Sequence, residues 1–216
     1  PSAIASFMAS LFRKWPDEVR LLDPGAGVGS LTEAYFQQFV VKAPKGASLS
    51  VTAFEIDPIL NEYLGDYLSM LPERARAAGV SSTTQIQPRD FIAEGTFAVN
   101  LGAALPFTHA ILNPPYRKIN TNSLHRKLLS GIGIETVNLY AGFLALAIAL
   151  TEKGGEIVAI VPRSFCNGTY FRPFREWLLE HAAIHHIHVF ESRSNAFRED
   201  SVLQENIIIH LGREQV

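Results

Sequence analysis

Cysteine is almost missing from this chain. One residue, Cys166, in 216 excludes an internal disulfide and every metal site built on several cysteines, and a lone thiol fits a reducing compartment. Placed just after an apolar run, in VPRSFCNG, it reads as a small buried hydrophobe and not as a nucleophile. A surplus of positive charge is also missing: 19 Lys and Arg face 21 Asp and Glu, a formal net charge of −2. No global field therefore draws in nucleic acid, and a polyanion has to be held by local patches. Long hydrophobic runs are absent too. The longest, AGFLALAIAL at 141–150, is about half of a bilayer span, and nothing resembles a signal peptide, so no membrane partner and a cytoplasmic home are expected. Internal repeats, coiled-coil heptads and low-complexity tracts are not seen. What remains, with 47% hydrophobic residues, fits one domain over 1–216 with a substantial core. The first residue is Pro and helix-like text starts at once, so the chain is expected to be cut from a longer parent.

Hydrophobic periodicity then orders the chain. AIASFMASLF (3–12) spaces Ile4, Phe7, Met8, Leu11 and Phe12 as an amphipathic helix. VRLLD (19–23) is a short strand, followed by a glycine-rich turn and a helix over 31–40; SLSVTAFEID (48–57) is a buried strand, followed by a helix over 58–71 with Pro58 near its first turn. Strands are predicted over 83–91 and 107–113, a polar loop with Arg117, Lys118, Arg126 and Lys127, a helix over 136–153, a strand over 154–162 after Gly154-Gly155, and a helix over 170–181. Two closing strands, 184–190 and 206–212, leave no room for a helical crossover and should run antiparallel. The pattern predicts an α/β fold, doubly wound, with a mostly parallel seven-stranded sheet and an antiparallel last strand.

Chemistry concentrates at the predicted strand ends. LLDPGAGVGSLT sets Gly25, Gly27 and Gly29 between the first strand and its helix, where a missing Cβ lets a ligand approach the backbone. The spacing is not the Gly-x-Gly-x-x-Gly of dinucleotide enzymes and the P-loop lysine is missing, which disfavours NAD and ATP. Glu55, 26 residues after Gly29, can accept both hydroxyls of a ribose or be a solvated strand end. Asp90 could accept from an adenine amino group and Phe91 cover a ring face. Together Asp23, Glu55 and Asp90 frame a pocket for an adenosine that bears a positive charge. HAILNPPYRKIN (109–120) ends the fourth strand on a stub stiffened by two prolines, Pro114 and Pro115, as if Asn113 had to be held still.

In order and spacing, DPGAGVGSLT, FEIDP, RDF and NPPY resemble the S-adenosylmethionine-dependent DNA adenine-N6 methyltransferases of the gamma motif order, over nearly the whole chain. PSAIASFM is similar to that family's N-terminal cofactor motif without its usual preceding Thr, and 138–168 to the helix and strand downstream of the catalytic loop in restriction-modification methylases. The resemblance implies S-adenosylmethionine as cofactor, held by Asp23, Gly25, Gly27, Glu55, Ile56, Asp90 and Phe91. It implies that the Asn113 side-chain oxygen and the Pro114 carbonyl accept the two N6 hydrogens of a flipped-out adenine, and that Tyr116 stacks on the base. Phe197, in SNAFRED, is the candidate for the opposite face of that base, or a cap on the core. Double-stranded DNA and a cognate restriction endonuclease are the implied partners, and a target-recognition domain is expected after residue 216.

Other readings stay open. The tetrapeptide also occurs in enzymes that methylate RNA adenine or a protein glutamine amide, and a non-catalytic cofactor-binding module of a defence complex would share the pocket. His185, His186 and His188 form a conspicuous HHIH, but in a regular strand the first faces away from the other two and no cysteine pair completes a site, so no metal is expected. Arg163, Arg172, Arg175, Arg193 and Arg198 could line a phosphate path or simply solvate a helix face.

Overall fold

In the computed structural model, which describes residues 2–102, 107–190 and 206–214, α1 (Ser2–Ser10) leads into β1 (Glu18–Pro24). The order continues α2 (Ser30–Lys42), β2 (Ser48–Phe54), α3 (Pro58–Ala77), β3 (Ser81–Gln87), α4 (Phe91–Asn100) and β4 (Phe107–Leu112). After α5 (Leu124–Gly131) and α6 (Leu139–Leu150) come β5 (Thr151–Pro162), a 3-10 turn (Arg163–Cys166), α7 (Arg172–His181), β6 (Ala182–Val189) and β7 (Asn206–Arg213). The seven strands form one sheet in the order β3-β2-β1-β4-β5-β7-β6. β7 runs antiparallel to both β5 and β6, and the other pairings are parallel. The doubly wound α/β fold expected from the sequence, with its antiparallel last strand, is the fold observed.

Strand alternation divides the core between the two faces of the sheet. Ile111, Val158, Ile160 and Ile208 pack with α1, α2 and α3 on one face; Ala110, Leu112, Ile157, Ala159 and Ile207 pack with α4, α6 and α7 on the other. β4 and most of β5 and β7 are buried on both faces, as central strands between helical layers must be. No helix among the described residues is long and apolar enough to cross a membrane.

Several elements depart from the sequence reading. α4 lies where no element is predicted, because Gly95 and Thr96 interrupt its propensity; tertiary packing decides it, since a Cβ on Gly95 would stand 3.4 Å from Leu146 and Leu150 of α6. α5 was read as part of a polar loop because only Leu129 on it is buried. The helix predicted over 136–153 stops at Leu150, and β5 begins at Thr151 with Gly154-Gly155 inside an irregularity of the β4–β5 ladder. β3 also ends at Gln87, so Asp90 and Phe91 are not a strand tip but the cap and first residue of α4.

Candidate functional site

The register of β1 fixes the centre of the site. Leu22 pairs with Ala110 of β4 and Pro24 with Phe54 of β2, and carrying both registers past the strand ends sets Gly25 between Asn113 on one side and Glu55 on the other. With strands about 4.8 Å apart, the backbones of the two polar residues stand roughly 10 Å from each other across the glycine turn. Backbone bonds from Gly25 and Ala26 to Phe54 O, 2.8 and 2.9 Å, tie the turn to β2.

The glycines of the turn all have positive φ. At Gly29 (φ 86°) packing adds a second requirement, since a Cβ there would come 2.7 Å from the Tyr67 ring of α3. Above Gly27 nothing lies within 4 Å of the Cβ position, which leaves its backbone open to a ligand. Glu55 is almost buried and holds this geometry: Oε2 accepts from Gly27 N and Oε1 from Asp57 N, both at 2.9 Å. A carboxylate offers about four acceptor positions, so two remain for a ligand diol. Ile56, beside it, is two-thirds exposed.

Asp23 differs from its expected place on the pocket wall. It is fully buried under the turn, with Thr32 Oγ1 donating to Oδ2 at 2.6 Å and Oδ1 without a partner. Burial pushes its carboxyl up to about 7 against the pull of the Thr32 bond, with the nearby Glu55 charge adding to the rise. Asp90 Oδ1 caps α4 by accepting from Ala93 N at 2.8 Å, and Oδ2 meets His125 Nε2 of α5 at 2.9 Å. Phe91, expected to cover a ligand ring, is 2% exposed and packs against the rings of Phe54 and Phe143 instead.

Asn113 is exposed at the end of β4, followed by a buried Pro114. Its Oδ1 accepts from the Tyr116 hydroxyl at 2.9 Å; the same hydroxyl lies 3.3 Å from Ile160 O. The half-buried Tyr116 ring stands edge-on to Tyr140 at 6.4 Å, and burial pushes its phenol above the ordinary range. The loop after it is fastened by Ile119 N to Val137 O and Leu139 N to Arg117 O, which brings the segment carrying α5 back to the start of α6. An open cavity of about 750 Å³ joins Asn113 and Ile160 to Gly29 and Ser30 and to Ile4 and Met8 of α1; Glu55 and Asp90 stand outside it on the other flank of the turn.

Several other expectations are corrected. Cys166 is exposed in the 3-10 turn, not buried. Arg172 pairs with Glu176 one turn along α7, and Arg175 donates to the carbonyls of Phe165, Asn167 and Gly168, so both have partners within their own segment. A ladder irregularity between Ile184 and His186 shifts the strand alternation: His185 packs on His210 and His188 on Phe7, which sets both toward α1. Among the described residues no three His, Cys, Asp or Glu side chains converge on a metal position. Phe197, Arg193 and Arg198 lie outside the described residues. Sequence reasoning missed Thr32 and His125, whose partners Asp23 and Asp90 lie 9 and 35 positions away along the chain.

The sequence profile described as Eco57I restriction-modification methylase matches residues 68–197. The chain is 46% identical over its whole length to the Type II methyltransferase M.BsuBI of Bacillus subtilis, covering 43% of that protein. It is 44% identical over 97% of its length to the Type II methyltransferase M.PstI of Providencia stuartii, covering 41%. It thus spans about two-fifths of the length of the curated relatives it matches. Among solved structures, a putative class I S-adenosylmethionine-dependent methyltransferase from Listeria monocytogenes superposes with a TM-score of 0.70 at 16% identity, over 100% of this chain and 59% of that one.

Proposed function

The chain belongs to the Eco57I restriction-modification methylase family, and on that premise we propose that it is the catalytic domain of a DNA methyltransferase that acts on the N6 amino group of a flipped-out adenine. The observation that carries the reading is the placement of Gly25 between Glu55 and Asn113, a diol acceptor and an amino-group acceptor on the two sides of one open turn. S-adenosylmethionine, when bound, supplies an electrophilic methyl group on a positively charged sulfur. The residues fit it: Glu55 keeps two free acceptor positions for a ribose, Gly27 leaves room above its backbone, and the orphaned Oδ1 of Asp23 sets latent negative charge beneath the turn.

The chain's own work is orientation. An exocyclic amino nitrogen is a weak nucleophile while its lone pair is shared with the ring. Asn113 Oδ1 and the Pro114 carbonyl, accepting its two hydrogens, favour charge at nitrogen as it attacks, and the prolines hold those acceptors at no cost of reorganisation. Asn113 Oδ1 is already bonded to the Tyr116 hydroxyl, so an entering base uses its second lone pair or displaces the phenol. Extrusion of a base costs a few kcal/mol, which stacking on the Tyr116 ring partly offsets. Double-stranded DNA is the substrate in this reading, with target recognition supplied outside residues 1–216, and a restriction endonuclease of the same specificity is the partner against which the methyl mark protects.

The test has two arms. Calorimetric titration of this chain should show binding of S-adenosylmethionine and not of NAD; binding of NAD instead, or of neither, would overturn the cofactor assignment. Nucleoside analysis of DNA methylated by the protein should then show N6-methyladenine. N4-methylcytosine in its place would reassign the target base while keeping the site.

A further inference from the structure

A buried polar cluster outside the site lies at the other end of the sheet, where the mechanism makes no use of it. Glu156 of β5, 1% exposed, accepts from Arg13 N at 3.0 Å and Lys14 N at 2.8 Å through Oε2, and from His210 Nε2 at 2.9 Å through Oε1. His109 of β4, 2% exposed, puts Nε2 2.9 Å from Lys14 O and 3.7 Å from Glu156 Oε2, and Lys14 Nζ reaches Gly154 O. Every one of these bonds to the main chain ends on the segment that follows α1 or on the turn beneath it.

Such a cluster is a poor choice for stability alone. A buried carboxylate carries a desolvation cost that apolar residues of similar volume would avoid, and here the fully buried Tyr35 hydroxyl and His210 Nδ1 are left without partners beside it. What the arrangement does give is a fixed position for one end of α1. The helix has nine residues, about 13 Å. From Glu156 to Ile160, four residues up β5, is also about 13 Å, and Ile160 lines the cavity together with Ile4 and Met8 of α1. One end of the helix is thus clasped at Glu156 while the other forms the cavity wall opposite Asn113.

We propose that Glu156, with His109 and His210, is a positioning residue for the cofactor pocket: it clasps the chain after α1 and so sets the wall that α1 presents beside Asn113. The inference rests on the S-adenosylmethionine reading above. It assigns the clasp to the side of the pocket next to Asn113, where the methionine end must lie if Glu55 and Asp90 take the adenosine.

Calorimetry on wild type and Glu156→Gln with two ligands, S-adenosylmethionine and 5′-methylthioadenosine, tests it, together with hydrogen exchange of the unliganded proteins. The expected result is an affinity for S-adenosylmethionine lowered roughly tenfold, as for a lost charge-assisted hydrogen bond, an affinity for methylthioadenosine within about twofold, and faster exchange confined to residues 2–14. Equal weakening of both ligands, or faster exchange across the whole sheet, would make Glu156 a general structural residue and overturn the proposal; so would unchanged affinity for both. His109→Gln, which removes the bond to Lys14 O and keeps the carboxylate, is measured alongside in case Glu156→Gln does not fold, and is held to the same pattern. Failure of the wild type to bind either ligand would overturn the cofactor reading itself and this inference with it, a result separable from the others because it appears before any substitution is made.

Discussion

Asn113 and Glu55 flank the same glycine and should fail in different ways. On the proposed reading, Asn113→Ala removes an acceptor that acts as charge develops on the attacking nitrogen. Methylation should fall by about 10² to 10³-fold, with S-adenosylmethionine affinity within about twofold of wild type. Glu55→Gln removes the charge that holds Gly27 N and Asp57 N and that, on the same reading, accepts from the ribose, so cofactor affinity should fall roughly tenfold, read by calorimetry, with turnover recovered at saturating cofactor. If Asn113→Ala weakened cofactor binding instead, the division of labour across the turn would be wrong. Both residues were legible in the sequence because each ends a strand at a motif. Thr32, His125 and Glu156 were not: their parts depend on contacts 9, 35 and 54 or more positions away along the chain, to Asp23, Asp90 and His210, and no periodicity records a contact of that kind. Asp23 was legible as a candidate but not as a buried group, since an acidic residue at a strand end is ordinarily solvated.

At the scale of elements, the strands were readable because central parallel strands are nearly continuous apolar runs, whereas α4 and α5 were hidden by glycine and by a mostly exposed surface. The glycines that hid such junctions differ sharply in what they tolerate. A Cβ on Gly155 would meet Thr108 O and Thr151 Cγ2 at 2.5 Å and Glu152 O at 3.0 Å, two of them backbone atoms that cannot turn aside. Gly155→Ala should therefore force apart the β4–β5 junction next to Glu156, destabilising the chain by roughly 2–3 kcal/mol in urea melts. Gly131, the last residue of α5, has open space at its Cβ position and no positive φ, so Gly131→Ala should be neutral or stabilising by up to about 1 kcal/mol. Equal effects at the two sites would mean that the junction relaxes freely and that its irregular register is not enforced by packing.

Over the whole molecule, two of the buried carboxylates, Asp23 and Glu156, pull the dependence of stability on pH in opposite directions. Asp23 rises from 3.8 to about 7 on folding, so between those values the folded chain holds a proton that the unfolded chain has released. Stability must then decline as pH rises from about 4 to about 7, by roughly 4 kcal/mol if the shift is fully expressed, and level off above. Glu156 is the reverse case. Burial works against its charge, but the nearby His109 ring at 3.7 Å and the hydrogen bonds from His210, Lys14 and Arg13 prevail and hold it well below the usual carboxylate range. Its contribution is present above about 4.5 and is lost as pH falls below that value. His185, lowered mainly by burial and by His210, opposes Asp23 below about 6.5, but it is more exposed and its effect is smaller. Stability measured by urea melts should accordingly peak near pH 5, with Asp23→Asn flattening the alkaline limb and Glu156→Gln the acid one; parallel curves for wild type and Asp23→Asn would show that Asp23 is ionised in the fold throughout. The same linkage reaches the proposed function. A cation bound above the turn favours ionised Asp23, so S-adenosylmethionine should bind more tightly as pH rises from 6 to 8, releasing protons that calorimetry in buffers of different ionisation enthalpy would count. In Asp23→Asn both the pH slope and the proton release should disappear, which would identify the cost of burying Asp23 as the source of the charge preference of the pocket.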